Sequence, residues 1–212
     1  MSLAYRIMRW VCRFLLGARA RLVFEGREHL PDGPFIIVSN HVSNWDPVAM
    51  GLLLWDRQMR ALGKQELFEL PLLGRLARWC GGIAIRRGEP DREALSQCKA
   101  ALQSGQPLLV LPEGTRSRSG TLSEGKLGVI FLAQLTNVPI VPAAVIGTRQ
   151  VGWPWRRSLI RVRIGQPFTI ERSARRPEQR QAQLNRTMRA IAELLPYELR
   201  GVYADSQLSA GT

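Results

Sequence analysis

Short apolar runs that end in glycine, proline or polar residues recur along the chain and alternate with stretches of helical periodicity. The apolar runs that we predict to be strands are residues 35–38, 83–85, 108–111 and 140–146, and we predict a further strand at residues 158–164 from its alternation of apolar and polar residues. The predicted helices are residues 3–17, 46–55, 67–79, 91–103, 123–136 and 177–194. Strands that alternate with helices form layered α/β sheets. The 212 residues, 45% of them hydrophobic, fit one domain, so we expect a single α/β domain whose mixed, mostly parallel sheet is flanked by helices.

Two prolines, Pro139 and Pro142, interrupt the apolar segment VPIVPAAVIG at residues 138–147. Proline cannot donate a hydrogen bond to a neighbouring strand, so this density favours an edge strand or a wall over a central strand. Such a wall could line an apolar channel, although core packing is the commoner reason for apolar residues.

Composition and cysteine usage limit the class of protein. The chain carries 30 lysine and arginine residues against 17 aspartate and glutamate residues, a formal net charge of +13. This excess favours an anionic surface or an anionic substrate as partner, without separating nucleic acid from membrane. Because Cys12, Cys80 and Cys98 have no paired spacing, we expect neither a disulfide framework nor a zinc site, and we expect a reducing, cytosolic setting.

The first 21 residues combine apolar residues with five arginines and contain no acidic residue. The arginines interrupt the apolar run, and no small-residue cleavage site follows, so we do not expect a secretory signal peptide. A helix over residues 3–17 spans roughly 22 Å, short of the roughly 30 Å hydrocarbon core of a bilayer. We predict an amphipathic segment, residues 1–21, that lies in a membrane interface; packing on its own domain is the alternative.

The stretch NHVSNWDP, residues 40–47, places His41 five residues before Asp46, directly after a predicted strand. The carboxyl ends of strands are where open α/β sheets form binding crevices. A tight turn could bring the carboxylate to one imidazole nitrogen, which would make the other nitrogen a base. The alternative is a structural histidine with Asp46 as a helix N-cap, and the spacing does not decide between the two.

A second polar stretch, LPEGTRSRSG, follows the predicted strand at residues 108–111. Gly114 allows close backbone approach, Thr115 and Ser117 offer hydroxyls, and Arg116 offers a bidentate fork for phosphate. The stretch lacks the spacing and the lysine of a nucleotide-binding P-loop. It therefore predicts a phosphate site that is not a nucleoside triphosphate site, unless it is an exposed turn with solvated arginines.

Cations also flank two further apolar segments. Lys64 precedes ELFELPLLG, and Arg86 and Arg87 follow GGIAI. We expect these side chains to be presented from strand ends.

Four blocks taken in order, NHVSNWD, GKQELFELPLLG with GGIAIRR, LPEGTRS and VPIVP, resemble the signature blocks of the glycerophospholipid acyltransferases, specifically the bacterial 1-acyl-glycerol-3-phosphate acyltransferases. The first and third blocks are specific at this mutual distance, whereas the second and fourth are weak alone. The resemblance covers about residues 22–204. It implies an acyltransferase domain at residues 22–204, which the amphipathic segment at residues 1–21 precedes and a C-terminal tail at residues 205–212 follows.

The resemblance implies a role for each candidate residue. His41 takes the proton from a lysophospholipid hydroxyl as that oxygen attacks an acyl thioester, and Asp46 holds the imidazole. Lys64 is a candidate donor to the thioester oxyanion, and Arg86 a candidate second phosphate contact. The residues that match the glycerol-phosphate-binding block are Glu113, Gly114, Thr115 and Arg116.

The resemblance also implies the partners. The donor is acyl-CoA or acyl carrier protein, the acceptor is a lysophospholipid, the product is phosphatidic acid, and no metal or other cofactor is needed. The protein is expected at the cytoplasmic face of the membrane, peripheral or monotopic, with Trp153 and Trp155 as a second interfacial contact if they are not ordinary loop packing.

Two rival functions stay open. One is an acyltransferase for another acceptor, such as glycerol 3-phosphate, a lyso-ornithine lipid or another lysophospholipid. The other is a basic membrane- or nucleic-acid-binding module without catalysis. No helix-turn-helix, zinc-finger or aromatic RNA-binding signature supports nucleic acid as the partner.

Overall fold

The computed structural model describes residues 3–54, 57–86, 91–152, 157–174 and 176–204. Its strands are β1 (Ala20–Glu25), β2 (Ile36–Ser39), β3 (Arg60–Lys64), β4 (Gly82–Ile85), β5 (Leu108–Val110), β6 (Ile140–Ile146) and β7 (Ser158–Ile164). They form one sheet in the order β1-β7-β6-β2-β5-β3-β4. Every neighbouring pair is parallel except β6 and β7. The prediction of a mixed, mostly parallel sheet is therefore confirmed.

Helices cover both faces of the sheet. They are α1 (Leu3–Arg19), α2 (Asp46–Gly51), α3 (Gln65–Glu69), α4 (Pro71–Trp79), α5 (Arg92–Gln103), α6 (Gly128–Thr136) and α7 (Pro177–Leu194). Side chains alternate along a strand, so Ile36 and Val38 pack with α5, α6 and α7, while Ile37 packs with α1 and α2 on the opposite face. The predicted layers are thus observed.

Helix α1 is joined tightly to the domain. It ends at Arg19 and β1 begins at Ala20, with no connecting residue. Leu16 is fully buried, and the buried Tyr5 hydroxyl accepts the Met59 N–H at 3.3 Å. The inner side of α1 therefore packs on the domain, which was the alternative to a membrane interface for this segment.

Two strands, β1 and β3, are not among those predicted from the sequence. β1 lies at the sheet edge against β7, and in its sequence ARLVFE the three consecutive apolar residues Leu22, Val23 and Phe24 lie between the charged Arg21 and Glu25. In β3, RALGK, a side chain at Gly63 would come within 2.9 Å of the Phe68 ring. Pairing with neighbouring strands and side-chain packing stabilise both strands, and a search for apolar runs in the sequence does not detect either.

Several predicted helices are shorter than expected. The helix predicted at residues 67–79 is two helices, because Leu70 precedes Pro71 and takes an extended conformation. The helix predicted at residues 123–136 begins at Gly128. The helix predicted at residues 46–55 ends at Gly51, and residue 55 lies outside the described chain. Trp153, Trp155, Arg87 and the predicted tail at residues 205–212 also lie outside it.

The expectation that the proline-containing strand lies at an edge is wrong. β6 lies between β2 and β7. The Pro142 carbonyl accepts the Gly165 N–H at 2.8 Å, and the N and C=O of one strand residue point to the same side. The missing donor of Pro142 therefore faces the stretch between Ile164 and Phe168, where the β7 ladder has ended. A central strand tolerates the proline because its neighbour bulges away there.

The topology brings the candidate residues to one edge of the sheet. β2, β3, β4, β5 and β6 are mutually parallel, so their carboxyl ends share that edge. His41 follows β2, Lys64 ends β3, Arg86 follows β4, Glu113 follows β5 and Thr148 follows β6. This is the edge at which open α/β sheets place their binding crevices.

Candidate active site

His41 and Asp46 are in direct contact. The His41 Nδ1 atom lies 3.0 Å from Asp46 Oδ2. The Asp46 side chain is fully buried, and the His41 side chain is 12% exposed. Because an ionised carboxylate only accepts hydrogen bonds, the contact places the imidazole proton on Nδ1 and leaves Nε2 as the basic nitrogen.

The Asp46 carboxylate organises the loop between β2 and α2. Oδ2 also accepts the backbone N–H groups of Val42 and Ser43, both at 2.7 Å. Oδ1 accepts the hydroxyl of Thr148 at 2.5 Å. Asp46 is the first residue of α2, whereas Trp45 occupies the N-cap position without a side-chain cap. The carboxylate therefore points back to His41 and its loop, and the N-cap alternative is not observed.

Glu113 supports His41 through the backbone. Its Oε1 accepts the His41 N–H at 2.6 Å, and its Oε2 accepts the Ser123 N–H at 2.9 Å. The Ser117 N–H in turn donates to the His41 carbonyl at 2.8 Å. Burial raises the pKa of Glu113, and the two backbone N–H groups partly offset that rise. Glu113 thus clamps the loop after β5 to His41, and both of its oxygens are engaged by the protein itself.

The loop after β5 presents an exposed polar rim beside His41. Gly114 has a left-handed φ of +70°, and a Cβ there would lie 3.1–3.2 Å from the Lys126 side chain. The left-handed φ favours glycine at this position, and the missing Cβ leaves room for the Lys126 side chain. Thr115 and Arg116 are exposed. Lys126 is a cation at this rim that the sequence-based prediction did not include.

Asn40 and Thr148 are two further residues that the sequence-based prediction missed. Asn40 is buried, and its amide exchanges hydrogen bonds with the Val145 backbone, N–H to Oδ1 at 2.8 Å and Nδ2 to C=O at 3.0 Å. Thr148 is fully buried and contacts Asp46. A signal for Asn40 existed, since it is a polar residue adjoining an apolar strand. Thr148 is 102 positions from Asp46, and no local pattern marks it.

Lys64 and Arg86 lie on the same edge but are engaged elsewhere. The Lys64 Nζ atom lies 2.6 Å from Glu66 Oε1, and Arg86 lies 3.6 Å from Asp91 Oδ1. Both cationic side chains are more than half exposed. In the sheet, β3 is two strands and β4 three strands from β2, roughly 10 Å and 14 Å at the usual strand spacing. Their contacts with substrate stay predictions.

An apolar pocket of about 170 Å³ adjoins the helix that Asp46 begins. Its walls include Pro47, Val48, Met8, Cys12, Leu62 and Phe68. Residues 138–147 are not among those that line it, so the proline-containing segment serves the core rather than this cavity. Among the described residues, no group of three or more His, Cys, Asp and Glu side chains could hold a metal ion.

Comparison with known proteins identifies the family. The sequence profile of the Acyltransferase family matches residues 21–146, which include every predicted site residue. A chloroplastic 1-acyl-sn-glycerol-3-phosphate acyltransferase of Arabidopsis thaliana is 32% identical over 135 residues, 62% of this chain and 37% of that protein. A Pseudomonas aeruginosa protein of the same enzyme name is 27% identical over 202 residues, 90% of this chain and 76% of that protein.

The chain spans about half or less of the plant and algal relatives that it matches, from 37% of the Arabidopsis protein to 55% of a Chlamydomonas reinhardtii protein. A crystal structure of the 1-acyl-sn-glycerophosphate acyltransferase from Thermotoga maritima matches the fold with a TM-score of 0.69 at 24% identity, over 90% of this chain and 79% of that chain. Because the family profile covers more than half of the 212 residues, and because its region contains the contacting His41–Asp46 pair, the chain belongs to the acyltransferase family.

Proposed function

We propose that this protein transfers an acyl group from an acyl thioester to the sn-2 hydroxyl of 1-acyl-glycerol-3-phosphate, giving phosphatidic acid. The observation that carries the proposal is the His41–Asp46 contact, with a partly exposed imidazole at the carboxyl edge of the sheet. The acceptor is taken from the names of the relatives.

The proposed chemistry needs one base and no covalent enzyme intermediate. Nε2 of His41 removes the hydroxyl proton as the oxygen attacks the thioester carbonyl, and Asp46 stabilises the imidazolium that forms. Collapse of the tetrahedral intermediate expels the thiolate, which takes the proton back from His41. The acceptor supplies the attacking hydroxyl, the donor supplies the acyl thioester, and the protein supplies the base, so we propose no cofactor.

Lys64 is the proposed donor to the oxyanion. To act so, its ammonium must leave Glu66, and both partners of that ion pair are more than half exposed. Exposed ion pairs contribute only about 0–1 kcal/mol, so the release costs little. A cation released at this edge could then meet the charge that develops on the thioester oxygen.

The phosphate of the acceptor is proposed to bind at the rim formed by Gly114, Thr115, Arg116 and Lys126. Gly114 lets the backbone and the Lys126 side chain approach each other, and Arg116 is exposed in the same loop. Arg86 is a proposed second contact, because its 3.6 Å ion pair with Asp91 is loose. Cations gathered next to the base suit a phosphorylated acceptor better than a neutral one.

The apolar pocket beside α2 is the proposed site of an acyl chain. Its walls expose far more carbon than polar atoms, and Pro47 and Val48 bring it next to Asp46. A flexible hydrocarbon gains free energy from burial in such a cavity. Acyl-CoA and acyl carrier protein deliver the same thioester, so the two donors are compared directly in the test.

The proposal is tested with purified protein, a panel of lysolipids and both donors, with thiol release as the rate and mass spectrometry as product identification. We expect phosphatidic acid from lysophosphatidic acid. A different acylated lipid would replace the proposed acceptor while leaving the transfer reaction. No thiol release with any acceptor would leave the non-catalytic binding module as the better account.

Replacing Arg116 by alanine should raise the apparent KM for lysophosphatidic acid by about 10- to 100-fold, because a charge-assisted phosphate contact is lost. The KM for the donor should not change. Arg116→Lys should recover only part of the loss, since an ammonium lacks the bidentate fork. Arg118→Ala, an exposed arginine in the same loop, is the matched control. Equal effects on both substrates would contradict the phosphate role.

We further propose that α1 and α4 form a joint surface on the membrane, at its cytoplasmic face. The outward side of α1 exposes Trp10 (71%) and Phe14 (76%), and α4 exposes Leu72 (70%). The two helices contact each other. Arg6 and Arg13 on α1 are exposed as well, so apolar and basic groups together suit anionic lipid. No helix in the described parts of the chain is long and apolar enough to cross a bilayer.

The double variant Trp10→Ser/Phe14→Ser should weaken binding to anionic vesicles by tenfold or more, since two large side chains no longer enter the interface. Its melting temperature should be unchanged because both side chains are exposed. Leu135→Ser on α6 is the control, since Leu135 is also exposed but lies on the other face of the sheet. Vesicle sedimentation at low and high salt measures the effect. Deletion of residues 2–17 is less informative, because it also removes Tyr5 and Leu16 from the core.

A further inference from the structure

Two thiols meet in the wall of the apolar pocket. Cys12 lies on α1 and Cys80 directly follows α4, and both line the cavity. Neither is in a disulfide, and each side chain lies near enough to the other to shift its pKa. The fold thus brings together two cysteines whose sequence spacing gives no hint of a pair.

The contact makes one thiol acidic. The neighbouring Cys80 side chain lowers the pKa of Cys12 below that of an ordinary thiol, against an opposing effect of burial. The same contact, together with burial, raises the pKa of Cys80. A thiolate held by a neighbouring thiol is the arrangement that reacts with oxidants, because the thiolate is the nucleophile and the second thiol can resolve the product.

Cys98 provides an internal contrast. It is buried in the core that α5, α6 and α7 form on the opposite face, and burial raises its pKa to about 12. A thiol of this kind remains protonated and shielded at neutral pH, so it should be inert under conditions that modify the pair.

We propose that Cys12 and Cys80 form a redox-sensitive dithiol site that a peroxide converts to an intramolecular disulfide. The Cys12 thiolate attacks one peroxide oxygen, which gives a sulfenic acid at Cys12 and releases hydroxide. The Cys80 thiol then displaces the sulfenic hydroxyl, so the S–S bond forms and water leaves. In sum, two thiols are oxidised by two electrons, hydrogen peroxide is reduced, and two waters form.

The disulfide would fasten α1 to the end of α4 across the pocket wall. α1 already leads directly into β1 and contacts α4, so the bond would add a covalent link to a helix that the fold holds by packing and hydrogen bonds. Closing a long loop of chain should also stabilise the fold, and we expect the melting temperature to rise by roughly 5–10 °C. This inference does not depend on the proposed acyl transfer.

The test uses the full chain, hydrogen peroxide and mass spectrometry without reductant. We expect the count of free thiols to fall from three to one, a mass loss of about 2 Da, a peptide that joins Cys12 to Cys80, and reversal by dithiothreitol. Cys98→Ala should form the same bond. Cys12→Ser and Cys80→Ser should not form it and should show no rise in melting temperature.

Three results would overturn the proposal: a disulfide that includes Cys98, covalent dimers in place of the internal bond, or oxidation that stops at a single cysteine. The Cys12→Ser and Cys80→Ser variants must remain folded for their result to count, which their melting curves establish. The readout is a covalent bond, so it is independent of whether the proposed acyl transfer is found.

Discussion

Replacing His41 by alanine should lower turnover in acyl transfer by about 10²- to 10⁴-fold, the usual contribution of a general base. The KM for the acceptor should change little, because the proposed phosphate contacts lie in the loop after β5. The backbone N–H of His41 still donates to Glu113 in this variant, so the loop should keep its position. Steady-state kinetics with lysophosphatidic acid and each donor measure both constants.

His29 is the matched control, since the chain contains two histidines. Its Nδ1 atom contacts the Ile164 carbonyl at the end of β7, at 2.8 Å, and makes no contact with Asp46. His29→Ala should lower the melting temperature slightly and leave turnover unchanged. If His41→Ala instead weakens acceptor binding and spares turnover, the assignment of His41 as the base is wrong.

Replacing Asp46 by alanine should have the largest effect on stability, about 3–5 kcal/mol, together with a loss of turnover. The variant removes the acceptor of Val42 N–H, Ser43 N–H and the Thr148 hydroxyl in a fully buried place. Each buried donor left without a partner costs about 1–3 kcal/mol. Urea unfolding of the variant against the wild-type protein measures the change.

Asp46→Asn separates geometry from charge. The amide oxygen can replace Oδ2 toward His41, Val42 and Ser43, and the amide nitrogen can donate to Thr148. We therefore expect a much smaller loss of stability than in Asp46→Ala, with turnover reduced less than in His41→Ala but still reduced, because the imidazolium has lost its counter-charge. Thr148→Val, which removes one donor and leaves the charge, should affect stability more than turnover. Full activity in Asp46→Asn would contradict the electrostatic part of the mechanism.

The layers of the fold follow from local patterns, which is why they could be predicted. Continuous apolar runs identified β2, β4, β5 and β6, since buried parallel strands require them, and the alternation of apolar and polar residues identified β7. β3 lacks such a run, β1 has only three apolar residues between charged ones, and both strands pair with partners that are distant in sequence. The position of β6 was mispredicted for a similar reason, because the bulge that accommodates Pro142 belongs to the following strand.

The contacts of the candidate site were also only partly predictable from the sequence. The His41–Asp46 contact could be predicted because the two residues are only five positions apart, in one turn between a strand and a helix. The partners of that pair could not, because Thr148 and Glu113 arrive from β6 and β5 through the sheet register. Lys126 reaches Gly114 only because its own N–H binds the Pro112 carbonyl at 2.9 Å. Sequence spacing therefore identified the proposed catalytic pair, whereas the residues that position this pair are brought to it by the sheet topology.

The direct junction between α1 and β1 bears on how a membrane-bound form would be oriented. Arg19 ends the helix and Ala20 begins the strand, and the Arg157 guanidinium donates to the Gly17 carbonyl just before the junction. No hinge separates α1 from the sheet. If α1 rests on lipid, the domain is therefore held at a fixed orientation to the bilayer instead of moving on a flexible linker. The tilt of one amphipathic helix would then set the height and angle at which His41 faces the lipid headgroups.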